Sequence, residues 1–228
     1  MTTVTAIICV HNGEAFIAEA LESIRCQTRQ VDAVLVVDDG STDDTCGIVK
    51  RTMPGAVLIR TAQCGLANAR NLGVSSCATD LLAFLDADDL WPEQRTAALL
   101  DTLAAHSDAG MVCGRIRIEE IRPNTADERL RQADGKHIPF MVQSGLIRRS
   151  LWQNLGGMNS VHDRAEDVDL FLRIVEAGTR IAYADAETLI YRVHGANRSR
   201  DVDLSQMALF GTLRATLLRR RANADRAE

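Results

Sequence analysis

The chain has 228 residues, 46% of them apolar, and a formal net charge of −5. That length and composition fit one substantial core and exclude a disordered chain. The acidic balance excludes general nucleic-acid binding, which needs clustered Lys and Arg. No apolar run approaches the roughly 20 residues needed to span a bilayer. The start, Met1-Thr2-Thr3-Val4, shows no basic stretch ahead of an apolar core, so no secretory signal is expected. The six cysteines Cys9, Cys26, Cys46, Cys64, Cys77 and Cys113 form no CxxC pair and no zinc-like spacing. They read as reduced thiols of a cytoplasmic protein.

Val4 to Val10 is almost wholly apolar, as a strand covered on both faces should be. Ile17, Ala20, Leu21 and Ile24 follow helical spacing, predicting an amphipathic helix from about Ala15 to Gln27. Ala33 to Val37 is a second buried strand. Ser41 and Asp44 resemble a capping box opening a helix to about Arg51. Ala56 to Ile59 reads as a strand, Leu66 to Val74 as a helix and Leu81 to Leu85 as a strand. Pro92 suits the first turn of a helix reaching about His106. Strands alternating with helices imply right-handed crossovers and a mostly parallel central sheet flanked by helices, an α/β fold. Ligands bind such sheets beyond the carboxyl ends of the strands. His11, Asn12, Asp38, Asp39, Asp86, Asp88 and Asp89 stand at those ends.

Met111 to Ile118 follows as a strand of mixed polarity. The polar stretch from Glu119 to His137 reads as a mobile loop, either a lid or disordered. Ser150 to Leu155 is a short helix closed by Gly156 and Gly157. Glu166 to Glu176 is a helix with Val168, Phe171, Leu172 and Val175 on its inner face, stopped by Gly178. Ile181 to Ala184 and Thr188 to Val193 read as two strands. From Val202 to Arg221 an apolar stripe of Leu204, Met207, Phe210, Leu213, Leu217 and Leu218 runs into Arg219, Arg220 and Arg221. Such a helix either packs on the domain or lies as a peripheral contact on an anionic membrane surface.

Four acidic or basic constellations carry the chemistry. Asp38-Asp39-Gly40 could accept hydrogen bonds from a base edge or ribose hydroxyls, although a capped helix start explains it as well. Asp86-Ala87-Asp88-Asp89 packs three carboxylates at a strand exit. A hard divalent cation relieves such repulsion, whereas an acidic turn with Asp89 as helix cap is the bland alternative. Glu166-Asp167-Val168-Asp169 opens a helix whose dipole stabilises acids, and a carboxylate held there can serve as general base. In Tyr191-Arg192-Val193-His194, with the residues after it, the imidazole can complete a metal site. Arg192, Arg198 or Arg200 could meet a phosphate.

Taken together these segments resemble the family 2 glycosyltransferases of the GT-A (Rossmann-like) fold. The resemblance runs from Val4 to about Ser199. It includes Val10-His11-Asn12-Gly13-Glu14, Val37-Asp38-Asp39-Gly40-Ser41-Thr42-Asp43 and Gly65-Leu66-Ala67-Asn68-Ala69-Arg70-Asn71. It continues through Leu85-Asp86-Ala87-Asp88-Asp89, Gly156-Gly157-Met158-Asn159, Glu166-Asp167-Val168-Asp169-Leu170 and Tyr191-Arg192-Val193-His194.

The resemblance implies a single GT-A domain over residues 1–200, with a donor-binding half to about 110 and an acceptor-side half from about 111, then a C-terminal amphipathic helix and basic tail over 201–228. It implies inverting transfer from a nucleotide sugar, by default a UDP-sugar. Asp167 would be the catalytic base, with Glu166 beside it. Asp39 would bind the base, with His11, Asn12, Glu14 and Arg70 around the donor. His11 stands where tyrosine or asparagine is common, which leaves the base open. Asp86 would meet the ribose or sugar. Ser144 and Gly145 would lie where donor sugar and acceptor meet. Asp88 and His194 would hold Mn²⁺ or Mg²⁺ on the diphosphate, and Asp169 would be structural. The acceptor could be a glycan, a lipid-linked sugar, a peptide or a small molecule. A nucleotidyltransferase and a non-catalytic nucleotide-sugar-binding partner are the competing readings.

Overall fold

Residues Val4–Val10 are buried throughout and form β1 at the heart of the sheet. The computed structural model describes residues 2–121, 125–138, 140–162, 164–195, 197 and 202–224, the side chains of 202–205 and 222–224 apart. Alternate residues of β1 serve opposite faces. Ala6, Ile8 and Val10 join a core with Ile17, Ala20, Leu21 and Ile24 of α1 (Ile17–Arg25). Ile7 and Cys9 join a second core with Ala69 and Val74 of α3 (Leu66–Ser75). Burial on both faces explains the unbroken apolar run.

β2 (Ala33–Asp38), β3 (Val57–Arg60) and β4 (Leu81–Asp86) complete the parallel half, with α2 (Thr45–Thr52) and α4 (Arg95–Ala105) as connections. The second half holds β5 (Met111–Glu120), α5 (Glu128–Ala133), β6 (Gly145–Arg148), α6 (Arg149–Asn154), α7 (Glu166–Glu176), β7 (Ile181–Val193) and α8 (Val202–Ala224). The seven strands run in the order β3-β2-β1-β4-β6-β5-β7. β6 is antiparallel to both neighbours, and every other pairing is parallel. Strand order reverses at β1, between β2 and β4, and a crevice opens at the carboxyl ends of such a switch. The expected α/β architecture is therefore present.

Several local expectations need correction. Ser41 and Asp44 do not form a capping box. Ser41 N donates to Asp38 Oδ1 at 3.2 Å, its hydroxyl is taken by Asn12 N, and Asp44 makes no side-chain cap to α2. The described residues of the 119–137 stretch are not a structureless loop: β5 runs on to Glu120, and Asp127 caps α5 by accepting from Leu130 N at 2.9 Å. The two strands expected over 181–193 are one strand, β7, accommodated by register shifts around Arg115 of β5.

The buried face of α7 is Glu166, Asp169, Leu170 and Ile174, not Val168, Phe171, Leu172 and Val175. Asp169 can be buried because Arg173 and Arg219 pair with it. α8 packs through Thr212 and Thr216, and the described part of its apolar stripe faces outward, so of the two alternatives the stripe is not what seals the helix to the domain. Arg198 and Arg200 lie outside the described residues, as does the side chain of Leu204.

Candidate active site

The first group forms where β1 and β2 end. Asp39 is buried, and it accepts from Thr61 Oγ1 at 2.6 Å, Cys64 N at 2.6 Å and Gly65 N at 2.8 Å. Burial favours the neutral acid, but these three donors outweigh it and hold the carboxyl below its usual range. Gly40 makes the turn possible. Its φ is +81°, and a Cβ there would stand 2.9 Å from Gln63 N. His11 Nδ1 donates to the Asp39 carbonyl at 2.9 Å, which places its ring beside this carboxylate. Asn12 and Glu14 stitch neighbouring loops together. Asn12 Oδ1 accepts from Thr42 N at 2.8 Å, and Glu14 Oε2 accepts from Asp44 N at 3.0 Å.

The second group joins β4, α3 and α7. Arg70 is almost wholly buried, its guanidinium 5.7 Å from the Phe84 ring centroid. It donates through Nη2 to Asp86 Oδ1 at 2.8 Å and through Nη1 to Asp167 Oδ1 at 2.6 Å. One cation thus serves two carboxylates from distant parts of the chain. Asp86 takes a further bond from Gln143 Nε2 at 2.6 Å. Burial pushes the Asp167 carboxyl up to about 7; Arg70 opposes that rise, while Glu166 and Asp86 add to it. A carboxyl with that value exchanges its proton near neutrality, as a general base requires.

The path of α7 to this point depends on Gly157. Its φ is +75°, and a Cβ would meet Asn71 Oδ1 at 2.5 Å. Asn71 clamps the next residue in both directions, accepting from Met158 N and donating to Met158 O, each at 2.8 Å. Glu166 is buried beside Asp167 at the start of the helix. Ser144 and Gly145 turn inward: the Ser144 hydroxyl donates to Met141 O at 2.8 Å, and Gly145 O accepts from buried Arg95 at 2.7 Å. Their neighbour Gln143 is the residue that reaches Asp86.

The third group closes the β4 turn against the end of β7. Asp88 Oδ2 lies 3.0 Å from His194 Nε2 and 3.4 Å from Asn197 Nδ2. Burial and the charge of Asp86 raise the Asp88 carboxyl above its usual range, and His194 partly offsets them. The His194 ring stacks on Phe16 with centroids 4.6 Å apart. Asp89 does not cap α4. It is buried and accepts from Arg192 N at 2.9 Å, and burial drives its carboxyl well above the usual range. Arg192 donates to the Asp88 carbonyl at 2.5 Å and pairs with Glu19, so it braces the turn.

Asp88 Oδ2 and His194 Nε2 stand side by side, an oxygen and a nitrogen near the carboxylates of Asp86 and Asp89. Among the described residues no cluster of three or more His, Cys, Asp or Glu converges as a metal cage. A pair of protein ligands fits magnesium or manganese, which retain waters or phosphate oxygens in their shells. Gln143, Asn197, Phe16 and Thr61 are contributors that sequence reasoning missed. Asn197 stands three residues beyond His194, but only the fold shows its amide turning back to Asp88.

Comparison with known proteins gives these strand-end groups a family. The model of the family described as "Glycosyl transferase family 2" matches residues 5–159. The chain is 29% identical over 198 residues to the pre-mycofactocin glycosyltransferase of Mycobacterium tuberculosis, covering 79% of this chain and 40% of that protein. It is 26% identical over 212 residues to the O-antigen chain rhamnosyltransferase WbaN of Salmonella anatum, covering 85% of this chain and 67% of the relative. Residues 1–349 of S. aureus TarS, in complex with UDP-GlcNAc, share the fold with a TM-score of 0.70 at 17% identity, covering 88% of this chain and 61% of that one. The chain thus spans about two-fifths of the mycobacterial relative's length. The family match extends over well more than half of these residues, and the chain belongs to glycosyl transferase family 2.

Proposed function

We propose that this chain transfers a glycosyl group from a nucleoside-diphosphate sugar to an acceptor hydroxyl, with Asp167 as general base. The observation that carries the reading is the Arg70 bridge, which ties Asp86 at a strand exit to Asp167 at a helix start, where burial raises the Asp167 carboxyl to about 7 against the pull of Arg70. The acceptor oxygen attacks the anomeric carbon while its proton passes to the Asp167 carboxylate. The bond from that carbon to the diphosphate oxygen breaks, and the electron pair leaves with the nucleoside diphosphate. Attack from the face opposite the leaving group inverts the anomeric configuration.

A UDP-sugar is the donor we favour, since solved relatives of this fold hold UDP and UDP-GlcNAc. His11 and Asp39 would frame the base, and Asp86 the ribose or sugar. Asp88 and His194 would hold Mn²⁺ or Mg²⁺. A cation there would offset charge growing on the departing diphosphate.

The acceptor side has an apolar wall. Phe171 lies one helical turn past Asp167, and half-exposed Phe140 meets it edge-on at 6.4 Å. That wall suits an acceptor with an apolar or ring face, whether a glycan, a lipid-linked sugar, a peptide or a small molecule. A cytoplasmic setting is the one we favour, since the spacing of the six cysteines suggests no disulfide framework.

Replacing Asp167 with Asn keeps the shape and removes the base. Transfer of the sugar from a UDP-sugar, followed as UDP release, should fall about 10²–10⁴-fold while UDP affinity stays within a few-fold. Parental turnover in Asp167→Asn would refute the assignment.

A further inference from the structure

α8 is held to the domain by one narrow face. Thr212 and Thr216 are buried there. Arg219 reaches Asp169 at 3.1 Å and Glu176 at 3.3 Å, and Arg220 reaches Glu176 at 3.3 Å. These pairs lock the rotation of the helix about its axis. At about 100° per residue, the lock turns Met207, Phe210, Leu213, Leu217 and Leu218 away from the domain. Their exposures are 71%, 71%, 41%, 59% and 57%. Single exposed apolar residues need no explanation, but a stripe of large ones along one helix does.

Arg214 and Arg221 fall within the same outward arc, and residues 206–221 contain no acid. The chain as a whole carries a net charge of −5, so this strip is cationic against the molecule's balance. Among the described residues no helix is long and apolar enough to cross a membrane. The outward arc interleaves large apolar side chains with Arg214 and Arg221, whose alkyl stems can run beside the apolar residues while their guanidinium heads reach up to phosphate.

We propose that the outward face of α8 docks on an anionic lipid bilayer. The five apolar side chains enter the boundary between headgroups and acyl chains, and Arg214 and Arg221 meet lipid phosphates. Charge complementarity selects this occupant over a second copy of the chain. Two-fold pairing of the strip with itself sets like-charged arginines against one another across an apolar seam. The inference stands on helix geometry and not on the transferase reading, so vesicle binding and sugar transfer fail or succeed separately.

The test is co-flotation of the purified chain with phosphatidylcholine vesicles, with and without phosphatidylglycerol. The expected result is binding to the phosphatidylglycerol vesicles alone, weakened by salt. Phe210→Ser with Leu217→Ser should reduce the bound fraction by about tenfold or more without changing the thermal midpoint or UDP affinity. Arg214→Glu with Arg221→Glu should also release the protein from anionic vesicles. Absence of binding to anionic vesicles, or undiminished binding by the serine variant, would overturn the proposal. A dimer in sedimentation equilibrium that the serine variant dissolves would assign the face to a second copy and overturn it equally.

Discussion

Asp39 and Asp167 are acids at the mouth of the same sheet, and their surroundings drive them in opposite directions. Asp39 receives a hydroxyl and two backbone N–H donors, so it is stabilised as an anion despite its burial. Asp167 shares one guanidinium with Asp86 and sits beside Glu166, so its charge is only partly compensated and burial lifts its carboxyl to about 7. Burial raises both carboxyls, and the donors and neighbouring charges set against it give the opposite outcomes. A permanently ionised group suits a binding role, and one that exchanges a proton near neutrality suits a base.

Removing the shared cation breaks the comparison most severely. Arg70→Ala should cost about 3–5 kcal/mol in denaturant unfolding, because Asp86 and Asp167 are left without their partner. Arg70 lowers the Asp167 value, so in this variant the proton should be held to still higher pH. Unchanged stability would mean that the bridge is not formed.

Asp39→Asn sharpens the other side. Exchanging the anion for an amide weakens three charge-assisted bonds and should cost about 2 kcal/mol. The sign with pH follows from the depressed folded value. Asp39 contributes stability above the unfolded carboxylate value of about 3.9, and loses it as pH falls through its folded value. Unfolding curves between neutral and acid pH should therefore be flatter for Asp39→Asn than for the parent.

The smallest effect is expected at Asn197. Its side-chain Nδ2 donates to Asp88, and its side-chain Oδ1 accepts from His194 N at 2.5 Å. Asn197→Ala should weaken Mn²⁺ binding in the presence of UDP by about tenfold, leaving the fold intact. Unaltered Mn²⁺ affinity would remove Asn197 from the positioning of the pair.

The parallel half was readable in the chain because β1, β2 and β4 are largely buried and end abruptly in polar residues. Helix α1 was readable for a related reason, since Ile17, Ala20, Leu21 and Ile24 form one apolar stripe. The same logic failed on α7 and could not decide which face of α8 packs. Asp169 is buried by arginines four and fifty residues away, and no local period reveals that. On α8 the short residues Thr212 and Thr216 allow close packing, while the larger apolar residues point outward. Within the site, the acids announced themselves by their crowding at strand ends. Gln143 and Asn197 did not, because an amide in a loop acquires its role only when the fold brings a carboxylate to it.

Asp167 is read as a base that burial raises to near neutrality while Arg70 restrains the rise. The most direct measurement is the pH dependence of kcat/KM for transfer from a UDP-sugar. The rate should climb by about tenfold per pH unit and level off near the Asp167 value of about 7, with that limb lost in the residual activity of Asp167→Asn. A profile flat through neutrality in the parent, or an identical limb in the variant, would contradict the account.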